Sequence, residues 1–106
     1  MTEIARLLTL CPDLASARRI TAALLDQRLI ACANIGARVE SHYTWQGAQQ
    51  QGAEIQLWLK TSTARAHQAM AAITRLHPYE VPMIAKDRIT VNADYADWVC
   101  EMVTEA

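Results

Sequence analysis

Neither sign of charge dominates this chain. Ten Lys and Arg stand against eleven Asp and Glu, for a net charge of -1, so the basic excess that a polyanion-binding surface needs is missing and nucleic acid is not an expected partner. Glycine is scarce, three in all, which leaves no glycine-rich loop to cradle a phosphate. Neither GxSxG nor HExxH occurs, and Glu80 has no second carboxylate close in sequence; a binding protein is expected rather than an enzyme. Long apolar runs are also missing. The longest uncharged, mostly apolar stretches, such as Leu29 to Ala37 (LIACANIGA), reach about half of the ~20 residues a membrane helix requires. No membrane partner is expected, and Glu3 and Arg6 argue against a signal peptide, so the expected location is the cytoplasm. The three cysteines, Cys11, Cys32 and Cys100, are odd in number and form no CxxC pair. That argues against a disulfide framework and a zinc knuckle, and for free thiols in a reducing compartment.

What is present is material for one domain over residues 1–106: 52% hydrophobic and 20% charged residues, enough to build a real core. Glu3 to Leu10 is short and rich in branched residues, and it stops at Cys11-Pro12-Asp13, as a strand must at proline. Asp13 is a plausible N-cap for an amphipathic helix over Leu14 to Arg28, with Ala17, Ile20 and Leu24 on its buried stripe. From Ile30 to Trp45 the pattern alternates, far beyond the usual ~5 to 6 residues of a strand, with Gly36 favouring a bulge. Gln46 to Gly52 reads as the turn of a long hairpin, and Ala53 to Lys60 alternates again with Ile55, Leu57 and Leu59 on one face.

Thr61, Ser62 and Thr63 offer caps for a second helix, whose stripe is Ala66, Ala69, Met70, Ile73 and Leu76. It ends near His77, because Pro78 disfavours helical geometry in the residue before it. Met83 to Ile89 reads as a fourth strand, its Lys86 and Arg88 suited to an edge. Asn92 or Asp94 starts a third helix presenting Tyr95, Trp98, Val99 and Met102. This order predicts an α+β fold, the ferredoxin-like βαββαβ sandwich, with an added C-terminal helix.

In that topology Cys11, Trp45 and His77 fall at one end of the sheet, and Cys32 starts at the other. The stretch HPYEVP (77–82) then brings imidazole, phenol and carboxylate to the same end as the Cys11 thiol, a mixture suited to copper or zinc. The alternative is that His77 caps the last carbonyls of its helix. His42 and His67, with polar neighbours, read as solvated.

CPD before the first helix, LIACANI, SHYTWQG, LWLKT, HPYEVP and NADYADWV together resemble the CutA family of divalent-cation-tolerance proteins, from about Leu7 to Val99. The resemblance implies a homotrimer related in architecture to the PII signalling proteins, in which strands of neighbouring subunits pair. The overlong strand suits this, since its excess length can pair outside its own sheet. It also implies divalent-ion binding, copper above all, through Cys11, Cys32 and His77, with Tyr43, Trp45, Lys60, Tyr79 and Glu80 lining clefts between subunits; no cofactor is required. Trp58 would join Tyr43 and Trp45 as an anchor at the interface or cleft wall. A signalling trimer whose partner is a protein or an anionic metabolite, with metal incidental, is the alternative. The chain departs from the family pattern at Gly36-Ala37-Arg38-Val39, at the hairpin tip GAQQQGAE and at Asp87-Arg88.

Overall fold

The computed structural model describes residues 2–104. Seven elements follow in order: β1 (Thr2–Cys11), α1 (Leu14–Asp26), β2 (Cys32–Trp45), β3 (Ala48–Thr61), α2 (Ala66–Leu76), β4 (Ile84–Val91) and α3 (Ala93–Val103). The strands form one antiparallel sheet in the order β2-β3-β1-β4. This is the strand order of the ferredoxin-like arrangement, with β4 at an edge.

Local chemistry accounts for most boundaries. Asp13 caps α1, its carboxylate accepting the Ser16 N–H at 2.8 Å. The helix stops at Asp26, short of the expected Arg28, because Arg28 is left-handed (φ 57°). The Leu29 N–H then reaches Leu24 O and the Arg28 N–H reaches Leu25 O, the paired closure that a left-handed residue after a helix permits. The caps foreseen for α2 act one step earlier: α2 has no side-chain cap, and Ser62 Oγ accepts the Arg65 N–H in the turn that precedes it.

The hairpin is longer and its turn tighter than expected. Trp45 pairs with Ala48, so only Gln46 and Gly47 turn, both at positive φ (51° and 79°); such a two-residue turn matches the twist of its strands. Gln49 to Gly52 belong to β3 instead. The expected break near Gly36 is a register shift between Ile35 and Arg38. β1 accompanies β3 only as far as the Cys11↔Ile55 pair, while β2 continues beside β3 to the tip. Beyond that point the hairpin is an arm two strands wide and, at ~3.4 Å per residue, roughly 20 Å long.

Two cores hold the sheet. On one face α1 and α2 bury Leu7, Cys11, Ile20, Leu24, Leu57, Leu59 and Ile73; each such aliphatic side chain contributes about 1.5–3 kcal/mol by leaving water. On the other face α3 covers one end, packing Ala96, Val99 and Val103 on Ile4 and Ala31. Here the expected face was rotated. Trp98 and Met102 remain exposed, at 39% and 41%, because Ala96, Val99 and Val103 are the residues that α3 turns toward the sheet. The rest of that face is open, with Leu8, Leu10, Gln56 and Trp58 half-buried. Across it the Arg6 guanidinium lies 4.8 Å above the Trp58 ring and pairs with Asp87 at 2.7 Å.

Candidate functional site

His77 lies where α2 must stop. Pro78 forces it into extended geometry (φ -69°, ψ 136°), and its backbone N–H closes the helix on Ile73 O. The ring does not cap the helix. It crosses to β1, where Nε2 donates to Leu10 O at 2.9 Å, while Nδ1 accepts the Tyr79 N–H at 3.2 Å. A carbonyl cannot donate and a backbone N–H cannot accept, so the imidazole is neutral with its proton on Nε2. Burial pushes its pKa below the usual value, against the opposing pull of the Leu10 carbonyl and Glu54.

The Tyr79 ring leans on His77, centroids 4.9 Å apart, and its hydroxyl donates to Glu54 Oε2 at 2.7 Å. Burial, then this bond to Glu54, raise the phenol well above its ordinary pKa, so it stays a neutral donor. Cys11 is fully buried beneath, its thiol pushed up to about 11 by burial and, secondarily, by Asp13 and Glu54. At the far side of the loop, Thr9 Oγ1 donates to Met83 O at 2.7 Å. The segment 77–83 is thus fastened to β1 at Leu10 and Thr9, and to β3 at Glu54. Glu80 is exposed.

A second cluster occupies the other end. Cys32 Sγ lies 3.2 Å from Tyr95 Oη, and Lys60 Nζ sits 5.9 Å from the centre of the Tyr95 ring and donates to Asn34 Oδ1. Tyr95 also leans on Trp98. Burial, then Cys32, push the Tyr95 phenol up to about 12.

The residues named from the sequence therefore divide. His77 and Tyr79 meet above Cys11. Cys32 does not join them: it is level with Lys60 and Cys11 with Ile55, about 17 Å apart along β3. Among the described residues, no three His, Cys, Asp or Glu side chains converge as a metal centre. Lys60 likewise belongs with Cys32, away from Tyr43 and Trp45 on the arm, which are 50% and 41% exposed. Glu54 and Tyr95 were missed. Alternation placed Glu54 on the face opposite Ile55, but its meeting with Tyr79 depends on a loop 25 residues away. A concavity of about 420 Å³ between Arg38–Glu40 and Gln51–Ala53 touches neither cluster; it is the open flank of the arm.

Fold and site together define a class: a split-βαβ protein carrying thiol, imidazole, phenol and carboxylate at one end of the sheet and a long projecting hairpin. Comparison with known proteins makes the assignment specific. Residues 5–102 match the family model of the CutA1 divalent ion tolerance protein. The divalent-cation tolerance protein CutA of Thermococcus kodakarensis is 38% identical over 96 residues, 90% of this chain and 91% of that protein. The crystal structure of the divalent ion tolerance protein CutA1 from Ehrlichia chaffeensis superposes with a TM-score of 0.92 at 32% identity, covering 99% of both chains. The Archaeoglobus fulgidus CutA structure, described as a periplasmic divalent cation tolerance protein, gives 0.89 at 26% identity and covers 97% of this chain and all of that one. The chain belongs to the CutA1 divalent ion tolerance family. Among the described residues no helix is long and apolar enough to cross a membrane.

Proposed function

We infer that this protein works as a homotrimer of PII-like architecture that takes up copper or another divalent ion, or a small ligand, in clefts between its subunits. It acts by binding rather than turnover, in the cytoplasm, where its three free thiols persist. The observation that carries the reading is the open sheet face. Leu8, Leu10 and Trp58 form an apolar strip that α3 leaves uncovered, flanked by the unpaired outer edges of β2 and β4 and continued by an arm with exposed Tyr43 and Trp45. Edges and faces of this kind are covered in stable proteins, and copies of the same chain cover them with closed symmetry.

Cys11, Cys32 and His77 are the proposed metal ligands, with Tyr43, Trp45, Tyr79, Glu80 and Lys60 at the cleft walls. A centre using both Cys11 and Cys32 must draw them from different copies, given their separation along β3. His77 can bind an ion only by releasing Leu10 O or the Tyr79 N–H. That engagement favours the second reading, a signalling trimer whose partner is a protein or an anionic metabolite, with metal uptake incidental.

Native mass spectrometry of the metal-free protein, followed by graded copper under reducing conditions, separates them. A trimer loading metal in defined steps supports the first; a trimer that stays empty at modest excess supports the second. A monomer refutes both.

A further inference from the structure

A charged row crosses the open face. Strand register sets Cys32, Lys60, Arg6 and Asp87 side by side over β2, β3, β1 and β4, where the apolar strip of Leu10, Leu8 and Trp58 ends. Arg6 grips Asp87 as a two-pronged fork: Nε donates to Oδ1 at 3.1 Å and Nη2 to Oδ2 at 2.7 Å. Its guanidinium also lies on the Trp58 ring, and the two contacts together fix the plane of the fork. Lys60 turns away, toward Asn34 and the Tyr95 ring, and takes no part. An ion pair left in water contributes little to the chain that holds it, and this one is uncovered, with side chains 35% and 52% exposed. The fork is also unfinished. Among the described residues no acceptor meets Arg6 Nη1, and each Asp87 oxygen, with one Arg6 donor, keeps room for a second. Donor and acceptor thus stand together on one rigid, neutral surface.

We propose that the Arg6–Asp87 fork is the element by which copies of this chain select one another, Arg6 Nη1 of one copy donating to the Asp87 carboxylate of the next. This rests on the reading that the chain assembles into a trimer through its open sheet face. The occupant is a second copy because the fork complements itself. A cationic partner is repelled by the guanidinium, an anionic one by the carboxylate, and an apolar one strips both of water with nothing in return. A copy turned about a threefold axis offers carboxylate to guanidinium and guanidinium to carboxylate. Each chain gives to one neighbour and takes from the other, and the ring closes at three. Trp58 holds the guanidinium flat, so little side-chain freedom is lost when the copy arrives. Like charges set against each other at a covered interface are costly, so the fork also rejects chains with other charges at positions 6 and 87.

The test is subunit mixing. A chain carrying both Arg6→Asp and Asp87→Arg keeps opposite charges within itself and within its own trimer, but meets the wild-type chain like charge to like. Isotope-labelled wild type is dissociated together with an equal amount of this double variant, reassembled, and weighed by native mass spectrometry. Mixed trimers fall at least about tenfold below their random share, whereas Arg88→Gln, on the same strand but outside the fork, mixes with wild type at random. Asp87→Asn, which keeps the shape and loses the charge, covers the case in which the double variant does not assemble. On dilution, followed by sedimentation, its trimer comes apart at a concentration at least about tenfold higher than wild type. Random mixing of the double variant, or an Asp87→Asn trimer as tight as wild type, confines the pair to its own chain and overturns the proposal while leaving self-assembly standing. A wild-type chain that stays monomeric overturns the assembly reading, and this proposal with it.

Discussion

The imidazole of His77 joins the loop after α2 to the first strand: Nε2–H donates to Leu10 O at 2.9 Å, across 67 residues of sequence. Its other nitrogen accepts the N–H of Tyr79, so the neutral ring is a two-way strut. Protonation would turn Nδ1 into a second donor facing a donor.

This strut makes stability depend on pH with a definite sign. Burial lowers the folded-state pKa of His77 from its ordinary 6.5, so above pH 6.5 the strut contributes fully. As pH falls below 6.5 toward the folded value, the unfolded chain takes up the proton first and stability declines. Thermal unfolding between pH 8 and pH 5 should show the midpoint dropping, with a shallower slope in His77→Gln. An equal slope in the two proteins would remove His77 as the cause.

The three thiols differ in environment and should differ in reactivity. Cys100 is exposed, Cys32 half-buried and Cys11 fully buried, with its thiol raised to about 11, so little thiolate forms there near pH 8. Iodoacetamide labelling of the native protein should modify Cys100 first and leave Cys11 untouched until denaturant is added. Early modification of Cys11 would show that the HPYEVP end opens freely.

The open face predicts how assembly fails. Leu10 is half-buried on that strip, and in the proposed homotrimer Leu10→Lys would put a charge where a copy packs, a burial costing several kcal/mol unless the charge is paired. Sedimentation velocity should show the oligomer replaced by monomer. An oligomer of unchanged mass would move the interface elsewhere.

Two glycines of the arm should respond oppositely to alanine. Gly47 has φ 79° in the turn, whereas Gly52 has no heavy atom within 4 Å of an added Cβ and no positive φ. Gly47→Ala should cost about 1 kcal/mol. Amide exchange at Tyr43 and Gln50, paired near the tip, should then quicken roughly fivefold by local opening. Gly52→Ala should leave that exchange unchanged or slower, since the substitution also narrows the unfolded chain.

Much of this architecture is visible along the chain because its causes are local. Asp13 caps α1, Pro78 stops α2, Gly36 marks the bulge, and alternation puts Ile55, Leu57 and Leu59 on one face. What misled was also physical. Polar Gln49 to Gly52 read as loop, yet they pair with β2, because strand pairing is a backbone matter that polar side chains do not forbid. The face of α3 is turned away from Trp98 and Met102, with Ala96, Val99 and Val103 buried instead, because hydrophobicity alone does not report how a helix seats on a sheet.

The residues that carry chemistry were partly visible for the same reason. The sequence by itself determined which groups exist, the order of elements, and the end of the sheet each loop reaches, since these follow from propensity, periodicity and chain direction. Chain direction already set Cys32 at the end opposite Cys11, as the register bears out; only the tertiary structure decided that Tyr79 bonds Glu54, that His77 reaches Leu10, and that Cys32 meets Tyr95. Those contacts depend on strand register and on how loops and helices settle across the sheet, and groups 25 to 67 residues apart meet there only once the whole core has packed.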